Sequence, residues 1–505
     1  MDPVTLQVMV GALRAACEEM GVVLVRSAHS ANIKERRDAS TALFDPLGEM
    51  VMQAEHIPVH LGAMPAAVEA VVAERPEPGD AWILNDPYRG GTHLPDITLV
   101  SPVHVGGELA GYAASRAHHA DVGGRLPGSM PADSTTLEEE GVVIEPCRLV
   151  RGGELDRELL GSIVERMRGP RQRVADLRAQ LAANRAGAAR LTELAERHGL
   201  GTVREAMTAT LDYAERRTRA AIEELGDGVR EASDALEAAD PAAPGGFAPL
   251  ELRLRARVDG GSITLDFTGS ADQHGGNLNC PLAVTLSACY FAVRVLADPD
   301  VPPCAGAYRP VTVVAPEGSV LNARSPAAVV AGNVETSSRV ADLVLAAFGR
   351  ALGQGTMNNL TLGNDGFTYY ETIGGGQGAC PEADGPSGVH VAMSNTLNTP
   401  LEALELEFPL RAVEYSLRRG SGGRGRRRGG DGVVREVEAL EEMHYSLLTE
   451  RRGTRPAGAD GGEAGACGRN LVDGEELPPK AMGTLRPGQR LRIETPGGGG
   501  HGRAG

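Results

Sequence analysis

The spacing of apolar residues predicts one long helix followed by short strands in the first part of the chain. Residues 5–30 carry apolar side chains three and four positions apart, the period of a helix that buries one face. The chain then becomes rich in turn residues. Short apolar runs within it predict buried strands at 82–84, 97–100 and 109–114. This pattern indicates a mixed N-terminal lobe.

Beyond residue 155 the pattern changes twice. The charged, alanine-rich stretch 155–225 predicts three helices, and the Pro/Ala/Gly stretch 239–246 predicts a linker. After the linker the pattern predicts strands at 250–258, 262–267 and 401–418, buried helices at 279–300 and 337–352, a Gly/Arg loop at 420–432, and a terminal turn or frayed tail at 497–502. We therefore predict a mixed α/β (α+β) fold with an N-terminal lobe (1–153), a helical segment (154–238) and a β-rich C-terminal lobe (247–505).

Composition and charge narrow the class of protein. The 505 residues are 42% hydrophobic and 23% charged, as in soluble globular proteins, and no apolar run approaches the roughly 20 residues of a membrane span. The net charge of −17 argues against a nucleic-acid partner. The seven cysteines include no CxxC pair, and the N-terminus has no basic region of a secretory signal. We expect a cytoplasmic protein with free thiols.

Imidazoles and carboxylates gather at two predicted strand ends. His93 and Asp96 stand just before the strand at 97–100, while His118, His119 and Asp121 follow the run at 109–114. Two neighbouring strand ends can converge on one ion, and three N/O ligands with open positions are typical of a catalytic divalent metal site. Such ligands favour zinc, manganese or iron over calcium. A lone His-x-x-Asp is more often a surface turn, so the second group carries the metal interpretation.

Two further groups of polar residues are more readily explained by a structural role than by a role in catalysis. His56 and His60 lie in AEHIPVHLGAM, and their spacing favours a pair of buried, hydrogen-bonded histidines. The charge run 34–38 is ordinarily a solvated turn. The chain contains no GxSxG elbow and no GxxxxGK[ST] loop, and its basic stretch 418–428 lacks the interleaved aromatics of an RNA-binding surface.

Several long motifs, in order, make the chain resemble the B-type subunits of ATP-dependent hydantoinases and oxoprolinases. They include SANIKERRDAS, EHIPVHLGAM, LNDPYRGGTHLPD, RAHHADVGG, GNVETSSRVADLVLAAFG and TPGGGGHG, and the resemblance runs nearly end to end. The family also includes the acetone and acetophenone carboxylases, in which the equivalent subunit carries a divalent metal.

The resemblance implies a site and an activity. The implied metal ligands are His93, Asp96 and His118, with manganese or zinc as the ion and iron as a third candidate. Asp121 or His119 would orient a ligand or move a proton, and His60 and Asp38 would line the pocket. An A-type partner with an actin-like ATPase fold would use ATP to phosphorylate the substrate oxygen. The implied reaction is hydrolysis of a cyclic amide, a hydantoin or 5-oxoproline, in a hetero-oligomer.

Two other functions remain open from the sequence. A ketone carboxylase subunit would use the same partner chemistry, and a non-catalytic scaffold would only stabilise the ATPase. The charged cluster speaks against the scaffold. Two positions depart from the family pattern, Ala392 where relatives often have histidine and Leu397 where they often have arginine. If these positions contact substrate, the substrate differs.

Overall fold

The computed structural model describes residues 1–55, 57–240 and 242–504. The helices are α1 (Pro3–Ser27), α2 (Ala31–Lys34), α3 (Ala63–Ala73), α4 (Leu137–Glu140), α5 (Arg157–Val164), α6 (Pro170–His198), α7 (Leu200–Glu223), α8 (Leu282–Leu296), α9 (Ala305–Tyr308), α10 (Ser337–Ala347) and α11 (Leu401–Glu407). Short 3-10 turns lie at Pro58–His60, Pro87–Arg89 and Pro244–Gly246, and a π-helical turn at Gly332–Thr336 leads into α10.

The strands are β1 (Ala39–Phe44), β2 (Met50–Glu55), β3 (Ala81–Leu84), β4 (Asp96–Val105), β5 (Glu108–His118), β6 (Cys147–Arg151), β7 (Glu154–Leu155), β8 (Gly228–Ala239), β9 (Phe247–Asp259), β10 (Ser262–Asp266), β11 (Val311–Val314), β12 (Asn359–Gly363), β13 (Thr368–Glu371), β14 (Leu410–Arg418), β15 (Gly432–Ala439), β16 (Met443–Leu448), β17 (Arg469–Val472), β18 (Glu475–Leu477), β19 (Lys480–Leu485) and β20 (Arg490–Glu494). The mixture of helices and antiparallel sheets confirms the predicted α+β class.

The N-terminal sheet is covered on both faces. Its strands are antiparallel and follow the order β2-β1-β5-β4-β3-β6-β7. Neighbouring residues of a strand point to opposite faces. Leu43 accordingly packs into the core beneath α1 and α6, and Phe44 packs into the core beneath α3. The predicted strands at 82–84, 97–100 and 109–114 are confirmed as parts of β3, β4 and β5.

Helix α6 is fixed to this sheet by buried side-chain amides. Gln180 donates to the carbonyl oxygens of Ile97 and Ser115, and Asn184 donates to that of Leu99. A buried amide must find partners, so these bonds set the position of α6 across β4 and β5. The three helices predicted at 155–225 are therefore present as α5, α6 and α7, and they pack on the N-terminal sheet.

The second half of the chain builds three more sheets. These have the orders β11-β10-β9-β8, β13-β12-β16-β19 and β14-β15-β20-β17-β18. Helices α8 and α10 pack on the first of them in one large core. Strands β8 and β9 pair along their whole length, so the stretch predicted as a linker joins two strands of one hairpin.

Two expectations for the C-terminal half hold only in part. Residues 410–418 of the segment predicted as strands at 401–418 form β14. The segment begins with a helix, α11, because LEALELE after Pro400 is rich in helix formers and buries Leu404. The final glycines are not frayed. They are buried, and the amide of Gly498 donates to the carbonyl of Gly430 at 2.9 Å. A Cβ on Gly498 would overlap the carbonyl oxygen of Gln377, so only glycine permits this contact.

The cysteines form no disulfide bonds. All seven cysteines are free, and Cys17, Cys280, Cys289 and Cys304 are buried, as expected of small apolar thiols. Across the described residues, no helix combines the length and the apolar character of a membrane span.

Candidate metal centre

The register of three neighbouring strands brings the predicted ligands to one end of the N-terminal sheet. Asp96 begins β4 and lies directly opposite His118, the last residue of β5. His93 stands in the turn before β4, and its carbonyl accepts the amide of Asp96 at 3.1 Å. Asp38 stands just before β1, and its carbonyl accepts the amide of His118. Strand pairing alone therefore places these four residues together.

His93, Asp96 and His118 form one buried cluster. Each offers one ligand atom, and the three atoms lie within 4.8 Å of one another. Nδ1 of His93 is 3.1 Å from Oδ2 of Asp96, and the two imidazole centroids are 5.1 Å apart. All three side chains are almost fully removed from solvent. This is the only group of its kind among the residues that the structure describes.

The donor atoms of this cluster fit a divalent metal ion. Nε2 of His93, Nε2 of His118 and Oδ1 of Asp96 are buried and have no hydrogen-bond partner in the protein. Leaving a buried polar atom unpaired costs about 1–3 kcal/mol, so three such atoms in one cluster fit a shared cation. Two imidazole nitrogens and one carboxylate oxygen suit zinc, manganese or iron.

The second oxygen of Asp96 is held by neighbouring side chains. Thr92 donates its hydroxyl to Oδ2 of Asp96 at 2.6 Å, and Nε2 of His60 lies 3.4 Å from the same oxygen. The other ring nitrogen of His60 lies 2.8 Å from the hydroxyl oxygen of Ser40. His60 therefore lies beside the cluster, fully buried and in contact with Asp96. Its predicted role in lining the substrate pocket stays a prediction. Its neighbour in the motif, His56, lies outside the described residues.

Three side chains hold His118 in place: Asn32 at the edge of its ring, Tyr370 stacked on its face, and Arg36 in contact with the ring of Tyr370. Nδ1 of His118 lies 3.1 Å from the side-chain amide nitrogen of Asn32. The ring of Tyr370 stacks on the imidazole at 4.5 Å, and the guanidinium of Arg36 lies 4.6 Å from the centre of the Tyr370 ring. Arg36 also donates to the carbonyl of Tyr370 and to the hydroxyl of Thr372. Such outer contacts fix the orientation of a metal-binding imidazole.

Burial shifts the pKa values of the charged groups in this cluster. Burial raises the pKa of Asp96, but His93 and His60 outweigh it and hold that pKa well below its ordinary value. Burial raises the pKa of Asp38 to about 7, with Asp96 adding to the rise and Arg36 opposing it. Burial lowers the pKa values of His60 and His118 and so favours their neutral forms, while Asp96 opposes this shift at both residues. Neutral imidazoles beside a carboxylate are the protonation states that a metal site requires.

The cluster faces a narrow cavity whose far wall comes from the second half of the chain. Asp38, His60, His93, Asp96 and His118 form one side. The opposite side includes Asn333 and Val334 of the π-helical turn, together with Met357, Tyr370, Ser394 and Thr396. Oδ1 of Asn333 is buried and has no hydrogen-bond partner. The metal cavity thus lies between the N-terminal sheet and segments from the second half of the chain.

The structure places His119 and Asp121 away from this cavity. Nε2 of His119 lies 3.0 Å from the side-chain oxygen of Gln180 in α6. The carboxylate of Asp121 accepts the amides of Gly123 and Gly128 and pairs with Arg168. These contacts hold a loop in place. A role for either residue in orienting a ligand remains a prediction from the resemblance.

The interpretation of the charge run 34–38 as a solvated turn is wrong for two of its members. Arg36 is fully buried and Asp38 is 3% exposed. Sequence reasoning also missed Asn32, Tyr370 and Asn333. All of them lie in motifs of the resemblance: Asn32 in SANIKERRDAS, Asn333 in GNVETSSRVADLVLAAFG and Tyr370 in YYETIGGGQGA. Membership of these motifs was the available signal, but the contact of Tyr370 with His118 depends on the packing of distant segments.

Comparison with known proteins agrees with these features. Residues 2–504 match the hydantoinase B/oxoprolinase family. An uncharacterized protein of Methanocaldococcus jannaschii is 40% identical over 99% of this chain and 91% of its own length. The 5-oxoprolinase of Dictyostelium discoideum is 39% identical over the whole chain, which spans 40% of that longer protein. A chain named as the B-type subunit of a D-/L-hydantoinase, from a Pseudomonas species, is 31% identical over 99% of this chain and 90% of its own.

Solved structures give the same picture. The ATP-dependent caprolactamase of Pseudomonas jessenii superposes with a TM-score of 0.92 at 29% identity, covering 100% of this chain and 91% of that one. The nucleotide-free acetone carboxylase superposes with a TM-score of 0.89 at 17% identity, over 99% of this chain and 76% of that one, which shows a shared fold. The match of residues 2–504 shows that this chain belongs to the hydantoinase B/oxoprolinase family.

Proposed function

We propose that this chain is the B-type subunit of an ATP-dependent amidohydrolase that opens a cyclic amide of the 5-oxoproline or hydantoin class. The observation that carries the proposal is the buried cluster of His93, Asp96 and His118, each with an unpaired ligand atom. Relatives named as a 5-oxoprolinase and as a hydantoinase B-type subunit, and the similar ATP-dependent caprolactamase, support the substrate class.

The residues of the metal cavity have separate tasks in this proposal. His93, Asp96 and His118 hold a divalent ion, manganese, zinc or iron. When bound there, such an ion supplies a Lewis acid and lowers the pKa of a coordinating water. Thr92 and His60 orient Asp96 through its second oxygen. Asp38, whose pKa burial raises toward neutral pH in the metal-free chain, accepts a proton within the cavity once it is ionised.

The requirement for ATP follows from the substrate. The carbonyl of an unstrained cyclic amide is a poor electrophile, and its nitrogen is a poor leaving group. We propose that an A-type ATPase partner transfers the γ-phosphoryl group to the amide oxygen. Water then adds to the activated carbon, and the ring C–N bond breaks as the nitrogen takes up a proton, which leaves an acyl phosphate. A second water molecule hydrolyses this acyl phosphate to a carboxylate and inorganic phosphate. The fact that this chain spans 40% of a 5-oxoprolinase is consistent with a second, ATP-using portion elsewhere in such enzymes.

A reconstitution experiment tests this proposal. The chain is co-expressed with an A-type partner and supplied with ATP and 5-oxoproline, hydantoin or ε-caprolactam, with ring opening and phosphate release measured together. We expect stoichiometric ring opening and phosphate release with at least one amide, lost in His93→Ala and kept in the matched variant His104→Ala. His104 lies on β4 outside the metal cavity. Turnover of acetone with bicarbonate but of no amide would replace the proposal with the carboxylase function.

A further inference from the structure

The metal cavity is too small to hold a cyclic amide by itself. The free space beside His93, Asp96 and His118 is about 20 Å³, room for an ion and roughly one water molecule. The walls are close-packed side chains such as Tyr370 and Met357, both buried. The bulk of a substrate ring must therefore lie in an adjoining space.

Two larger spaces lie near the metal cavity. The first, which we call the α6 groove, has about 450 Å³ and is lined by Asn32, Asp121, Arg168, Gln172 and Phe367. The second, which we call the α8 chamber, has about 440 Å³ and is lined by Pro58, Phe291, Val295, His390, Ala392 and Ser394. Either volume is large enough for a small ring.

The α8 chamber is the one that adjoins the metal cavity. Ser394 lines both spaces, and Pro58 of the chamber stands between Ile57 and Val59 of the metal cavity. The α6 groove shares no described lining residue with the metal cavity. Its nearest link is Asn32, which contacts His118 through Nδ1, the ring nitrogen that is not free to bind a metal. The groove therefore reaches His118 on the Nδ1 side, opposite the Nε2 atom that can bind a metal.

We propose that the α8 chamber binds the ring of the cyclic amide and that Ser394 and His390 orient its polar edge toward the metal cavity. This inference rests on the proposed function. Nδ1 of His390 lies 2.6 Å from the hydroxyl oxygen of Ser394, and Nε2 of His390 is buried without a hydrogen-bond partner. Phe291, Val295 and Pro58 supply apolar surface for the methylene groups of the ring. An apolar wall with a few convergent polar groups is the usual design of a small-molecule site.

The backbone at Ala392 keeps the chamber open. Ala392 has φ +49°, a left-handed conformation that residues with a side chain rarely adopt. Strain of this kind persists where the surroundings impose it, and it is common at ligand sites. The small methyl group leaves space that a longer side chain would fill. Ala392 is thus a determinant of the ring size that the chamber accepts.

Blocking each space with the same side chain tests the assignment. Val295 is exposed on α8, so Val295→Trp fills the chamber without disturbing the core, and Gln172→Trp puts the same bulk into the α6 groove. Ala392→Asn is a second blocking variant, since asparagine tolerates a positive φ. Saturation-transfer NMR measures binding of 5-oxoproline and of ε-caprolactam to each folded protein in the absence of ATP.

We expect Val295→Trp and Ala392→Asn to bind both amides at least tenfold more weakly than the wild type and Gln172→Trp to bind as the wild type does. Wild-type affinity in both chamber variants, or weaker binding in Gln172→Trp alone, would overturn the chamber and leave the proposed function standing. Absence of any amide binding to the wild type would overturn the chamber and leave the proposed function standing, since that function acts on the phosphorylated amide.

Discussion

The ring of Tyr370 lies flat on the imidazole of His118, with centroids 4.5 Å apart and an interplanar angle of 9°. Tyr370 belongs to β13, whereas His118 ends β5, so two distant parts of the chain meet at the candidate metal ligands. The hydroxyl of Tyr370 donates to the side chain of Asn359 at 2.6 Å, which locks the ring in place. The second half of the chain thereby controls the orientation of a predicted metal ligand.

Removing the stack should loosen the metal site more than removing the hydroxyl. We expect Tyr370→Leu to weaken metal affinity by about 10-fold or more, since outer contacts of ligands are worth this much. Tyr370→Phe keeps the ring and should retain affinity, while losing about 1–3 kcal/mol of stability from the unpaired Asn359. Competition with a chelator measures the first effect and chemical denaturation the second. Equal affinities in the two variants would contradict a role for the stack.

Asn32 should act on His118 through its side-chain oxygen once a metal is bound. A ligating Nε2 requires Nδ1 of His118 to carry the proton, so Nδ1 must donate to an acceptor. We expect Asn32→Asp to retain metal affinity and Asn32→Ala to lose about 10- to 100-fold. Asn364→Ala, across the α6 groove, is the matched control. Loss of affinity in the aspartate variant would show that this assignment of the proton is wrong.

Asp38 should trade stability for activity. Its pKa of about 7 in the folded chain exceeds the ordinary value of about 3.9, so the unfolded chain binds fewer protons between these limits. Folding stability from this group therefore falls as pH rises from about 4 to about 7. In metal-free protein, Asp38→Asn should raise the free energy of unfolding by about 4 kcal/mol at pH 8 and leave it unchanged at pH 4. The same variant should lose turnover.

Denaturation of the wild type and the Asp38→Asn variant at the two pH values, with chelator present, checks the stability effect. A pH profile of turnover checks the function, since activity should rise with pH as Asp38 ionises, and a bound cation should move this rise below pH 7. An identical stability difference at both pH values would show that Asp38 has an ordinary pKa.

Asp121 should stabilise the fold without affecting the metal content of the protein. Its carboxylate accepts two backbone amides and pairs with Arg168 at 1% exposure. Leaving buried donors without their acceptor costs about 1–3 kcal/mol, so Asp121→Ala should lower the unfolding free energy by about that amount. Its metal content should equal that of the wild type. Loss of the metal from folded Asp121→Ala protein would instead support the role that the resemblance implies.

The sequence predicted the cluster of candidate metal ligands because these residues are brought together by neighbouring strands. His93, Asp96 and His118 belong to β4, β5 and the turn before them, and neighbouring antiparallel strands place their ends side by side. Hydrophobic spacing likewise predicted α1, α6 and α8, since each buries one face.

The rest of the site depends on long-range packing. Asn333, Tyr370 and Ser394 reach the metal cavity from positions more than 200 residues beyond His118, and no spacing rule relates such positions. Arg36 and Asp38 resembled a solvated turn because charge runs are usually exposed, and their burial depends on Tyr370 and on the metal cluster. At α11, helix propensity over seven residues outweighed the strand pattern of the longer segment.

The metal content of the purified chain tests the central claim most directly. Inductively coupled plasma mass spectrometry of protein purified without chelator should give about one manganese, zinc or iron per chain. The double variant His93→Ala/His118→Ala should have none, and the matched variant His104→Ala should keep it. Folded wild-type protein that holds no divalent metal, or a double variant that holds as much as the wild type, would contradict the account.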